Sequence, residues 1–127
     1  MRNLLALGAL LEATTGLALL VRPPLLARLL LGVEVTGTGV VMSRFAGIGL
    51  IALGLACWPG NLPHRALCGM LTYNSLAALY LVYLGLGGDW SGILLWPAAV
   101  LHAVLASLFA VAWFNERKTA TSRGTPN

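Results

Sequence analysis

Residues 4–20 read LLALGALLEATTGLALL, a run of Leu, Ala and Gly long enough to cross a lipid bilayer, with one acid, Glu12, in its middle. A hydrocarbon layer roughly 30 Å thick needs about 20 helical residues at 1.5 Å each. Three more runs of that kind follow. The chain of 127 residues is 58% hydrophobic and 9% charged, with a mean hydropathy of +0.84. A soluble domain would carry about a quarter charged residues, so the composition is that of an integral membrane protein.

The spacing predicts spans over residues 3–21, 39–58, 65–85 and 92–114, because Pro, Gly and charge collect in the breaks RPP, WPGNLPHR and GLGGDWSG. The expected fold is all-α, a transmembrane antiparallel four-helix bundle in one domain, residues 1–114. Residues 115–127, NERKTATSRGTPN, are polar enough to predict a disordered cytoplasmic tail. The first span, with Arg2 ahead of its leucines, has the outline of a secretory signal, but a central Glu is foreign to a cleavable apolar region, and the span is expected to be retained.

Between spans one and two, PPLLARLLLGVEVTGTG is too short and interrupted to cross. Pro23 and Pro24 suit a first helical turn, and Leu25, Leu26, Leu29 and Leu30 share a face apart from Arg28. A short interfacial helix is predicted.

Four spans put Arg2, Arg65, Arg117, Lys118 and Arg123 on one side, and Arg22 and Arg28 with Glu34 and Asp89 on the other. The positive-inside rule then puts both termini of a multi-pass protein in the cytoplasm. The net charge of +4 follows from that distribution and gives no reason to expect nucleic acid as a partner. Trp58 and Trp113 fall at one boundary and Trp90 and Trp96 at the other, as an aromatic belt does. Tyr80 and Tyr83 read as belt residues too. Cys57 and Cys68 lack CxxC spacing and read as small apolar filler.

Five polar residues fall near mid-span: Glu12, Arg44, Tyr73, Asn74 and His102. A charged side chain at that depth costs at least ~3 kcal/mol unless it turns inward and finds a partner. A mid-span acid pairs, is held protonated, or handles a proton. Arg44 is the expected ion-pair partner of Glu12, with snorkelling to the headgroups as its alternative. Gly8, Glu12 and Gly16 recur every four residues, and Ser43 and Gly47 stand beside Arg44, with Gly54 seven further on. Ala99, Ala103 and Ser107, beside His102, Ala106 and Ala110, form small-residue stripes in the fourth span. Spans one, two and four are therefore expected to pack closely. On the third, Asn74, Ala77, Ala78 and Leu81 share a face.

No Walker loop, GxGxxG, di-iron Glu-x-x-His set or paired axial histidines occurs in the spans, and neither a metal site nor a cofactor is predicted. Convergent polar groups among small residues point to a pocket for a lipophilic ligand such as a quinone, isoprenoid or lipid, with all five residues as ligand-binding candidates. Two alternatives stand beside it. One is a structural subunit of a larger membrane complex or a homo-oligomer. The other is an enzyme in which Glu12 and His102 act as an acid-base pair on an apolar substrate.

The runs LEATTGLALLVRPPLLARLLLG, SRFAGIGLIALGLACW, YNSLAALYLVYLG and LLWPAAVLHAVLA resemble small four-helix bacterial inner-membrane proteins of the broad DoxX-like kind, over about residues 4 to 110. In that group a first span with an acid and a glycine, an amphipathic connector and a second span opening on Arg recur. Some members are similar to subunits of quinone-linked oxidoreductases, so the resemblance implies an accessory role beside a membrane redox enzyme.

Overall fold

A computed structural model describes residues 1–60, 63–90 and 92–123. Its five helices are α1 (Arg2–Val21), α2 (Pro23–Leu31), α3 (Thr38–Ala56), α4 (Pro63–Gly87) and α5 (Leu95–Arg123). All but α2 are long and apolar enough to cross a membrane. Their outward faces carry Leu7, Leu17, Phe45, Ile48, Leu79, Val100 and Val104, all half or more exposed. Water would penalise such a surface, whereas hydrocarbon accepts it.

The helices pack as two pairs, α1 with α3 and α4 with α5, with lesser contact between the pairs. Glycine sets the first pairing. A Cβ on Gly16 would lie 2.5 Å from the Gly47 carbonyl oxygen, and one on Gly54 would lie 2.6 Å from that of Ala9. Backbone therefore touches backbone at two levels, one near each half of the helix, the close approach that small residues allow in a membrane. α3 buries little besides Gly47 and Gly54.

α4 and α5 join through side chains. Asn74, Ala78 and Leu81 are buried on α4 and Ala77 is half-buried, so the expected α4 face is the packed one. Opposite it α5 buries Ala99, Leu105 and Phe109. The Ala103–Ser107 stripe instead turns outward, because the larger Leu105 and Phe109 occupy the contact. Phe109 reaches across to α1, where a Cβ on Gly8 would meet its ring at 2.8 Å. Phe109, Leu5, Leu67 and Met70 are the best-buried large side chains of the core that ties the two pairs together.

α2 starts on the proline pair and ends on Gly32 in the left-handed conformation (φ 77°). It buries Pro23 and Ala27. Leu25 is 52% exposed, while Leu30 and Leu31 pack against the cluster of Leu81, Leu95 and Ala99. The Leu94 N–H donates to the Leu29 carbonyl at 2.8 Å, so α2 is anchored to the entry of α5.

The fourth long helix does not stop at Phe114. It continues to Arg123, so the expected disordered tail is helical from 115 to 123, and 124–127 lie outside the described residues. Glu116, Arg117 and Lys118 are good helix formers, and the Arg117 guanidinium sits 3.9 Å over the Trp113 ring one turn back. The Thr119 hydroxyl donates to the Asn115 carbonyl at 3.0 Å.

Gly47→Ala is expected to lower stability by about 1–3 kcal/mol, the usual cost of overpacking. Gly49→Ala, where a Cβ meets nothing within 4 Å, leaves it unchanged. Denaturant unfolding of the two variants in bicelles measures the difference.

Candidate functional site

The polar residues expected inside the bundle fall into a group of four and an outlier. Glu12 projects from α1 at 2% exposure, and Asn74 from α4 is fully buried. Tyr73 and His102 are half-buried. The Tyr73 hydroxyl lies beside the Glu12 carboxyl. On its other side the Tyr73 ring meets His102 edge-on, centroids 5.8 Å apart and planes at 78°. Tyr73 is thus the link between an acid on α1 and an imidazole on α5.

Asn74 orients that imidazole. Its Nδ2–H donates to the Met70 carbonyl at 2.9 Å, which fixes the amide so that Oδ1 faces His102 Nδ1 at 2.8 Å. An amide oxygen only accepts, so Nδ1 carries the proton, and in the neutral ring Nε2 keeps its lone pair as an acceptor. Sequence spacing placed Asn74 and His102 at similar depth but could not supply this chain of donors, which runs through a backbone carbonyl.

Glu12 is the unusual member. Its Oε1 is buried without a hydrogen-bond partner among the described residues. Removing a polar atom from solvent without a partner costs about 1–3 kcal/mol, and more if charged, so such atoms are rare and call for an explanation.

Arg44 is the outlier. It is exposed on α3, and the expected ion pair with Glu12 is not formed. The glycine contacts explain why. With Gly16 against Gly47 and Ala9 against Gly54, the Glu12 level falls near Ile51, about two helical turns (~10 Å) along the axis from Arg44. Arg44 also lies about 60–80° around α3 from the Gly47–Gly54 stripe. Among the described residues an ion pair joins Arg28 to Glu34 at 3.9 Å, both well exposed, where it adds little stability.

No family model, curated protein or solved structure matches the chain.

Two cavities among those described lie at the helix ends, away from the four residues. One of about 350 Å³ sits beside Tyr83, Asp89 and Trp90. The other, about 750 Å³, is lined by Met1, His64 and the last turns of α5. Its polar residues do not stand out as a group in the sequence. The available signal was the four-residue spacing of Trp113 and Arg117, which stacks a cation on a ring within one helix.

A double-mutant cycle of Asn74→Ala and His102→Ala should give a coupling of about 0.6 kcal/mol, and no more than ~1.7, the range for interhelical hydrogen bonds in membranes. Nitrogen chemical shifts of His102 should report the Nδ1–H tautomer in the wild type and its loss in Asn74→Ala.

Proposed function

We propose that this chain is a small multi-pass protein of a bacterial inner membrane, an antiparallel four-span bundle of the DoxX-like kind with both termini cytoplasmic. Its interior holds the polar head of a lipophilic molecule, a quinone, an isoprenoid or a lipid. Four long apolar helices with lipid-compatible outer faces support the membrane setting. The opposed register of α1 and α3 at their glycines supports the antiparallel arrangement. The DoxX-like resemblance supports a role beside membrane redox chemistry.

One observation carries the ligand assignment: the buried, unpartnered Oε1 of Glu12 beside the Tyr73 hydroxyl. An oxygen-bearing head exchanges a hydrogen bond with the open Oε1 and can donate to the Tyr73 oxygen, whose own proton goes to the Glu12 carboxyl. His102 Nε2, left as an acceptor by the Asn74 bond, offers a third contact. Most of a lipophilic molecule would then lie along apolar side chains, with few polar groups fixing its orientation, as in small-molecule sites generally. The site is set where the two helix pairs meet with lesser contact, a seam that opens at lower cost than the glycine-locked interior of α1 and α3.

Arg44 favours a second possibility. A guanidinium exposed on the outer flank of α3 beside Phe45 and Ile48 either snorkels to headgroups or meets an acid on another subunit, as in a larger membrane complex.

Protein extracted in mild detergent and washed should release a stoichiometric quinone, isoprenoid or lipid on organic extraction, detected by mass spectrometry. Glu12→Ala with Tyr73→Phe should lower its occupancy about tenfold, the equivalent of some 1.4 kcal/mol. A wild-type protein that is empty after gentle extraction overturns ligand binding. Cross-linking from position 44 to a distinct membrane protein would establish the subunit role instead.

A further inference from the structure

Hydrogen-bond direction decides what the interior group can hold. The Tyr73 hydroxyl gives its proton to the Glu12 carboxyl, which leaves the phenol oxygen as an acceptor. Asn74 takes the Nδ1 proton of His102 at 2.8 Å, which leaves Nε2 as an acceptor on the far side of the neutral ring. Among the described residues no side chain donates to either atom. Glu12 Oε1 is buried and has no partner among them.

The nearby donors are engaged or elsewhere. Asn74 is completely enclosed and committed to Met70 and His102. The Ser107 hydroxyl donates back into its own helix, to the Ala103 carbonyl at 2.9 Å, and Arg44 is exposed on α3. Acid, phenol and imidazole therefore present a face of acceptors. Tyr73 and His102 are only half-buried, so this face reaches the surface of the bundle at the seam between the helix pairs.

Hydrocarbon holds no water to meet such acceptors, so a bound molecule has to bring the protons. A carbonyl or an ether only accepts, and it would set lone pair against lone pair at Tyr73 and His102. An ammonium donates but carries a charge to mid-span at high cost. A hydroxyl donates without charge. The acceptors fall in two places, Oε1 with the Tyr73 oxygen on the α1 side and His102 Nε2 on the α5 side, so one hydroxyl serves one place and two serve both. Should Glu12 be neutral and turn its own proton to the ligand, a hydroxyl accepts it, and the phenol oxygen and Nε2 still call for donors.

We infer that the interior site selects an uncharged lipophilic molecule whose head carries two hydroxyl donors, a hydroquinone or an alkyl glycerol, and rejects the quinone and the etherified forms. The inference rests on the ligand reading proposed above and narrows it, because the head must donate as well as carry oxygen. Rejection of an analogue that lacks the hydroxyl follows from the buried acceptors it would leave unpaired.

The test is calorimetric titration of delipidated full-length protein in nanodiscs, under argon, with two ligand series. One is decylhydroquinone, its monomethyl ether, its dimethyl ether and decylbenzoquinone. The other is a dodecyl glycerol monoether with its monomethyl and dimethyl ethers. Affinity should fall about tenfold for each hydroxyl methylated, and the quinone should bind as weakly as the dimethyl ether. The series that shows the fall tells a phenolic source from an alcoholic one. His102→Leu should weaken the dihydroxy ligand about tenfold and leave the dimethyl ether unchanged. Asn74→Leu frees the ring to carry its proton on Nε2, and it should weaken the hydroquinone while strengthening the quinone, a reversal that loss of packing does not produce. Circular dichroism melting checks the folding of each variant, and the wild-type series decides the inference where a variant fails to fold. Equal affinity along a series that binds, or tighter binding of the quinone or a dimethyl ether, overturns the donor requirement and leaves the ligand reading standing. Undiminished binding by the folded Glu12→Ala, Tyr73→Phe double variant overturns the assignment to this site. Absence of binding by every member overturns both readings.

Discussion

The contact of Gly16 with Gly47, repeated where Gly54 meets Ala9, is the constraint from which the other features follow. Without a hydrophobic force between helices in lipid, association depends on dispersion and close backbone approach, and only a residue lacking Cβ permits the approach seen here. This contact locks α3 to α1 at a fixed shift and rotation. It leaves Glu12 facing α4 instead of α3, and it carries Arg44 to the outside.

The second pair obeys a different rule. α4 and α5 meet through Ala78, Leu81, Ala99 and Leu105, with the Asn74–His102 hydrogen bond at mid-height. Phe109, filling the space above Gly8, is the side chain that joins this pair to the first. Close packing between glycines and looser packing between the pairs places the polar residues at the seam. The acid that no protein group fully satisfies stands there beside the one tyrosine that also touches the imidazole.

Polar side chains gather at two chemically distinct places. In the interior, an acid, a phenol and an imidazole of fixed tautomer suit a head with oxygen functions. At the end of the bundle, an indole aligns a guanidinium and an imidazole near a carboxylate, above an apolar wall. Both arise where a helix leaves its apolar stretch or interrupts it, because each polar group in such a sequence must find a partner or reach an aqueous boundary.

Apolar run length and the positions of Pro and Gly determined the number of long helices and most of their limits, since both depend only on local chain chemistry. The same is true of the α4 face and of the inward placement of Glu12 and Asn74, which follow from helical periodicity and the cost of burying charge. Periodicity gives the angle of a residue around its own helix. It does not give the rotation and shift of that helix against another, and Glu12 with Arg44 illustrates the difference: similar depths counted from the span ends became a separation of about two turns once glycine contacts set the register. The extension of α5 past Phe114 was hidden for a related reason, because a polar composition suggests disorder until a ring one turn back is seen to hold the first cation. Tertiary structure alone decided the Asn74 orientation and the His102 tautomer, as both run through a backbone carbonyl whose position no side-chain pattern encodes.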